Sequence, residues 1–300
     1  MEGQHGRLRA GENPPQARRV SAELADRMAR AGTSRLHETL GAVVLAMHDL
    51  IENLCLTPAE LRAGIEFLTE VGHVADPRRQ EWVLLADVMG LSSLLDDLQA
   101  LRPAGATPNT VAGPFYRADA PDLPLGADIS RDGRGEPLSV GGKIASVTGT
   151  QLSDALVEVW HANAEGKYEN QEPDLQPEHN LRGRFRTDAL GRFAFRSVMP
   201  RGYVLPSDGP VGRLMQTLGL CLERPAHLHF RVSAKGHETL VTHIFDRADA
   251  AIGRDAIFGV KPELLAEFRS AKDPAAGRVL DVNLVLCPLR QSGNETEEKP

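Results

Sequence analysis

The sequence predicts a mainly β protein, with an antiparallel β-sandwich domain preceded by an N-terminal α-helical region. Two textures of the chain carry that reading. From Ser21 to about Leu101, apolar residues recur at spacings of three and four, as in SRLHETLGAVVLAMHDLIENLCL and EWVLLADVMGLSSLLDDLQAL; this is the period of a helix with one apolar face. After RPAGATPNT the chain turns to short alternating segments parted by Gly, Pro, Asp and Asn, as in a sandwich or barrel of short strands.

In order, residues 1–19 are rich in Gly, Pro, Arg and Gln with little to bury, and are expected to be disordered. Residues 20–105 form the helical domain. Thr57-Pro58-Ala59-Glu60 is a capping box with proline at the first helical position, and Asp76-Pro77 is a similar start. Residues 106–290 form the β domain, with strands expected in LSVGGKIASV, ALVEVWHA, RFRTDALGRFAFRSV, HLHFRVSA, TLVTHIFD and RVLDVNLVL. The polar tail, residues 291–300, is expected to be disordered.

With 300 residues, 41% of them hydrophobic, the chain can bury a sizeable core. A formal net charge of -7 and the lack of a basic stripe argue against a nucleic-acid partner. No apolar run reaches the roughly 18 residues of a membrane span, and the N-terminus has no signal-type segment, so a cytoplasmic protein is expected. The three cysteines, Cys55, Cys221 and Cys287, stand far apart and support neither a disulfide framework nor a zinc knuckle.

The chemistry starts at ERPAHLHFRV, residues 223–232. In a strand, His227 and His229 share one face while Leu228 and Phe230 take the other. Alone, such a pair is as readily two hydrogen-bonded histidines at a sheet surface. A carboxylate partner at cupin spacing is missing, Ser233 and Ala234 standing there, and no HExxH zinc motif is present. Tyrosine remains. Of the three, Tyr168 and Tyr203 sit in loops just after strand-like segments, whereas Tyr116 has no ligand context and reads as structural. Two phenolates with two imidazoles suit a ferric ion better than a soft or divalent one. Taken singly, each tyrosine reads as an ordinary packed ring with a hydrogen-bonded hydroxyl.

VEVWHANAEGKY, GYVLPSDGP and RPAHLHF together resemble the ligand segments of the intradiol ring-cleavage dioxygenases, in order and from about Thr107 to Leu286. The resemblance implies one Fe(III) per subunit held by Tyr168, Tyr203, His227 and His229, with Tyr203 doubling as a base. It implies that Arg224 stabilises charge developing on the ring, that an aromatic diol or triol and O2 are the substrates, and that neither nicotinamide nor flavin is needed. The helical region resembles the dimerising linker of the catechol and hydroxyquinol branch, which implies a homodimer, with a lipid or other amphiphile as a candidate filling between its helices.

The segment HIFDRADAAIGRDAIFGVK resembles the hydroxyquinol enzymes more than the catechol enzymes. By the same comparison Leu84, Asp87, Val111, Ala112, Gly113, Pro114, Phe115, Leu205, Pro206, His243 and Ile257 line the ring pocket with Arg224. Asp87 can accept a hydrogen bond from a third ring hydroxyl that catechol lacks, although as a residue of a polar helix face it can equally be exposed. The small Ala112 leaves room for a chlorinated or alkylated catechol. His243 can equally be a core histidine, and His161 a packed one. The rival from another class is a non-catalytic β-sandwich binding module; a zinc hydrolase lacks an evident carboxylate base near the histidines.

Overall fold

The computed structural model describes residues 15–76, 79–99 and 102–289. These form two compact units, one ending at Glu70 and the other beginning at Val71. In the first, α1 (Pro15–Ala31) and α2 (Arg35–Leu54) pair as a helical hairpin, with Ser21 Oγ 2.8 Å from His48 Nδ1. Helix α1 begins at Pro15, so residues 15–19 are helical where disorder is expected. Proline fits such a first turn because its missing N–H has no intrahelical partner to lose. The expectations for residues 1–14 and for the tail from 291 lie outside the described residues.

Helix α3 (Pro58–Val74) starts at the expected capping box. There the Glu60 N–H donates to Thr57 Oγ1 (3.2 Å) and the Thr57 N–H to Glu60 Oε2 (2.8 Å). The helix start at Asp76-Pro77 cannot be followed, as Pro77 lies outside the described residues; the next helix, α4 (Glu81–Val88), begins beyond it. The helical pattern that begins at Glu81 is carried by two helices, α4 and α5 (Leu91–Gln99). The break is Gly90, whose φ of +74° favours glycine and where a Cβ would come within 3.2 Å of the Phe258 ring. By compactness, α4 and α5 fall in the same unit as the sheets. Among the described residues no helix is long and apolar enough to cross a membrane.

Two sheets make the sandwich. One carries β3 (Arg182–Arg186), β2 (Leu156–Trp160), β7 (His227–Ser233), β8 (Leu240–Asp246) and β9 (Leu265–Ala266) in that order. The other carries β10 (Arg269–Ser270), β11 (Arg278–Leu286), β1 (Pro137–Ser146) and β4 (Arg192–Val198). A separate ribbon pairs β5 (Tyr203–Val204) with β6 (Glu223–Arg224), and α6 (Pro210–Thr217) lies in the connection between them. Each strand-like segment named from the sequence supplies a strand, RFRTDALGRFAFRSV supplying both β3 and β4. The sheets are antiparallel except where β1 pairs β11 and β8 pairs β9. Strands β1 and β11 come from opposite ends of the domain, and so long a connection permits parallel pairing, which a hairpin does not.

Alternation fills the core from both sheets: Val157 and Val159 of β2, Leu228, Phe230 and Val232 of β7, Val140 and Ile144 of β1, and Leu280, Val282 and Leu284 of β11 are all buried together. The opposite face of β7 is not a solvent face. His227 and His229 are 2% and 1% exposed, so this strand separates an apolar core from a second, polar interior.

Candidate metal centre and ring pocket

Strand register builds that polar interior. On the face opposite Phe230, Trp160 of β2 lies beside His229, and His229 lies beside His243 of β8. The indole stacks on the His229 ring at 4.6 Å and 14°, and the His243 ring stands 4.2 Å from it on the other side. His227 is fixed from its own turn, its Nδ1 lying 2.7 Å from the Pro225 carbonyl. That contact makes Nδ1 the donor and leaves the Nε2 lone pair facing the interior.

Tyr168 and Tyr203 enter this interior from other segments. Tyr168 caps a short 3-10 turn (Glu169–Gln171), its N–H donating to Gln171 Oε1 at 2.9 Å. Its ring stacks on Phe115 at 4.2 Å. Tyr203 opens β5 directly opposite Arg224. The polar atoms meet closely: Tyr168 Oη is 3.0 Å from His229 Nε2, which is 3.2 Å from His227 Nε2. Arg224 Nη1 lies 3.4 Å from His227 Nε2 and 3.5 Å from Tyr203 Oη.

Burial dominates the electrostatics. It pushes the Tyr168 phenol well above its ordinary range, with Tyr203 adding to the effect. It holds His227, with help from the Arg224 charge, and His229, with help from His243, well below the ordinary imidazole range. His243 is lowered in the same way, and His161 falls to about 4. Burial also works against the Arg224 charge, but Tyr203 and Asp255 more than compensate and the guanidinium stays cationic. The result is a set of neutral imidazole donors beside a Tyr168 phenol that gives up its proton only to a strongly charged cation. His229 Nδ1 and His243 Nε2 are buried without a hydrogen-bond partner, which is costly in a site meant only to pack.

Beside these groups is a cavity of about 300 Å³ whose wall includes Leu84, Asp87, Gly113, Pro114, Phe115, Tyr203, Leu205, Pro206, Arg224 and Ile257. Three residues expected in the wall are absent from it. Ala112 is exposed and Val111 half-buried, because the chain turns at Gly113 (φ +72°) before it enters the pocket. His243 stands beside His229 on β8, its Nδ1 2.6 Å from Thr110 Oγ1, and does not line this cavity. Asp87 is buried at 6% exposure, not on a polar helix face. Tyr116 is structural, its hydroxyl donating to Glu158 Oε1 at 2.9 Å.

Sequence reasoning missed other parts. Arg79, Glu81, Asn170 and Gln171 also line the cavity. Arg182 and Glu169, 1% and 3% exposed, form a buried ion pair of 2.7 Å beside Tyr168; Arg182 also donates to the Phe115 carbonyl and stands 5.9 Å over the Tyr168 ring. The one signal for Glu169 is its place directly after Tyr168; nothing in the sequence marks Arg182, an arginine in an alternating strand.

Residues 111–288 match the family model described as Dioxygenase, and residues 33–107 match the one described as Catechol dioxygenase N terminus. A hydroxyquinol 1,2-dioxygenase of a Rhizobium species is 45% identical over 247 residues, covering 82% of this chain and 84% of its own. A 6-chlorohydroxyquinol 1,2-dioxygenase of Cupriavidus pinatubonensis is 39% identical over 262 residues, 87% of this chain and 94% of its own. Among solved structures, a hydroxyquinol 1,2-dioxygenase from Pseudomonas putida superposes with a TM-score of 0.86 at 33% identity, covering 91% of this chain and 99% of that one.

Proposed function

The chain belongs to the intradiol dioxygenase family, and from that premise we propose that its substrate is hydroxyquinol, benzene-1,2,4-triol, cleaved with insertion of both atoms of O2 to 3-hydroxy-cis,cis-muconate or its tautomer maleylacetate. The family acts through non-haem iron, which the buried histidines and tyrosines can hold; the rival of a non-catalytic binding module falls with that membership. In our reading one ferric ion per subunit is held by Tyr168, Tyr203, His227 and His229, and when bound it supplies the Lewis acidity that lets a diol lose both protons near neutral pH. The convergence of three of these donor atoms within 3.2 Å contacts supports that set.

The protein's own groups do the rest. Tyr203, half-buried at the cavity wall, takes one phenolic proton from the substrate. Arg224 cannot supply a proton, because a guanidinium stays charged; its Nη groups stabilise negative charge developing on the ring carbon. Leu84, Pro114, Phe115, Leu205, Pro206 and Ile257 hold the ring and exclude water.

The observation that carries the choice of triol is Asp87. Its Oδ1 is buried without a hydrogen-bond partner in the wall of the cavity, and an unpaired buried acceptor selects a ligand that brings a donor. Asp87→Ala is therefore expected to lower kcat/KM for the triol by about 10- to 100-fold, the loss of a charge-assisted hydrogen bond, while changing kcat/KM for catechol less than threefold. Anaerobic visible titration with triol and with catechol gives the same ranking by affinity. An unchanged triol-to-catechol ratio in Asp87→Ala would move the assignment to catechol or a chlorinated or alkylated catechol.

We also assign dimerisation to the N-terminal helices, with the protein acting in the cytoplasm. Leu36, Leu40, Val43, Met47, Leu50 and Leu54 make one stripe along α2, each 49–65% exposed, at the alternating three- and four-residue spacing that seats a helix on a partner. A second copy, with or without an amphiphile between the helices, would cover it. Val43→Glu combined with Met47→Glu should give a monomer in sedimentation velocity; a double variant that stays dimeric rules the stripe out as the interface.

A further inference from the structure

Arg224 is held in place at its backbone by the β5–β6 ribbon, but its side chain has four free torsions and reaches into a polar interior where several geometries are possible. One group restricts it. The Arg224 Nε–H donates to Asp255 Oδ1 at 3.1 Å, and both side chains are 2% exposed. With Nε directed at this carboxylate, the rigid fork of the guanidinium must present its Nη edge the other way. Nη1 accordingly faces Tyr203 Oη and His227 Nε2, and Nη2 has no partner of its own.

The other oxygen of Asp255 is also in use. Oδ2 accepts the Gly259 N–H at 2.9 Å, closing the turn that carries Ile257 into the cavity wall. Within this turn Phe258 adopts φ +58°, a strained conformation for an aromatic residue. Ser93 of α5 holds it there by donating to the Ile257 carbonyl at 2.9 Å and to the Phe258 carbonyl at 3.3 Å. The turn thus fixes the carboxylate, and the carboxylate orients the arginine.

We propose that Asp255 is a positioning residue for ring cleavage: it aims the Nη edge of Arg224 at the substrate and ties that aim to the Ile257 wall of the pocket. This rests on the active-site role given to Arg224 above. A purely structural role, that of neutralising a buried cation, makes a different prediction, since it lowers stability and leaves turnover of the folded, iron-loaded enzyme alone.

The test is a double-mutant cycle of Asp255→Asn and Arg224→Ala, with kcat normalised to the iron charge-transfer absorbance and thermal unfolding measured alongside. Misaiming a group by about 1 Å costs up to about 100-fold in rate. Asp255→Asn should therefore lower kcat by about 10- to 100-fold with KM changed less than threefold, and should cost nothing further in kcat once Arg224 is alanine. A wild-type kcat in Asp255→Asn beside a slow Arg224→Ala overturns the positioning role and spares the arginine. A wild-type kcat in Arg224→Ala overturns both. Should Asp255→Asn fail to fold, Gly259→Ala asks the same question with both charges kept, because its methyl would stand 3.1 Å from Asp255 Oδ2 and 3.4 Å from Arg224 Nη2; a kcat within twofold of wild type in that variant counts against the proposal, and a several-fold fall with KM held supports it.

Discussion

Tyr168→Phe and Tyr203→Phe are each expected to abolish turnover to within detection, a loss exceeding the roughly 100-fold that follows removal of a ligand's outer hydrogen-bond partner. Both substitutions keep the ring, so the Tyr168 stack on Phe115 and the edge contact between the two tyrosines survive, and the fold should be retained. What is lost is an oxygen donor. The visible tyrosinate-to-iron band should weaken in each single variant and vanish in the double one. The two positions should nevertheless differ. Tyr168 is 1% exposed and without its hydroxyl His229 Nε2 loses a neighbour at 3.0 Å, so its variant should lose iron most readily. Tyr203 borders the cavity and is the base in the proposed mechanism, so its variant should keep more iron than activity. A double variant that binds iron as well as wild type, without the band, would move the site to the buried cluster of His227, His229 and His243.

The parts of this site that could be read from the sequence are those whose geometry is local. An alternating strand places His227 and His229 on one face whatever the rest of the chain does, and β7 does so. The capping box at Thr57 is equally local, and so it stands as expected. The tyrosines were legible only as a set, because each needs a loop closure that spacing alone does not define; three matching segments in order made up for that. Residues that act through long-range pairing were not legible. Arg182 of β3 and Glu169 of the turn after Tyr168 meet only through the tertiary fold, and Asp255 reaches Arg224 from 31 residues away. The family comparison puts His243 on the pocket wall with a core position equally open. Its ring stands 4.2 Å from that of His229 and its Nδ1 at Thr110, outside the cavity lining, a placement set by strand pairing. Gly90 likewise breaks a helix that periodicity runs straight through, because the need for the break lies in Phe258.

Metal-free protein should be markedly acid-labile, for the same reason that the site suits a cation. Four imidazoles, His161, His227, His229 and His243, are all but fully buried and held neutral, His161 down to about 4 and the others well below their ordinary value. In the unfolded chain each takes up a proton near pH 6.5, whereas in the folded chain it does not. The unfolded state therefore binds more protons below that pH, and stability, full above about 6.5, falls as pH drops toward the folded values. Each group contributes about 1.4 kcal/mol per pH unit in that window, so His161 alone accounts for about 3 kcal/mol by the time its folded value is reached. His227, His229 and His243 act in the same sense, so the loss exceeds that of His161 alone and is large against the stability of a marginal domain. Asp87 and Asp96, raised chiefly by burial, act in the opposite sense but only nearer the carboxylate range. Urea unfolding of the iron-free protein should thus show a midpoint that falls steeply between pH 6.5 and 5, with uptake of about four protons per molecule. A midpoint that is flat across that interval would mean the histidines are already protonated in the folded state, and cationic imidazoles have no lone pair to offer a metal. Iron loading should raise stability at pH 7 and lose that advantage on acidification, since donors that must be deprotonated to bind compete with protons for the same lone pairs.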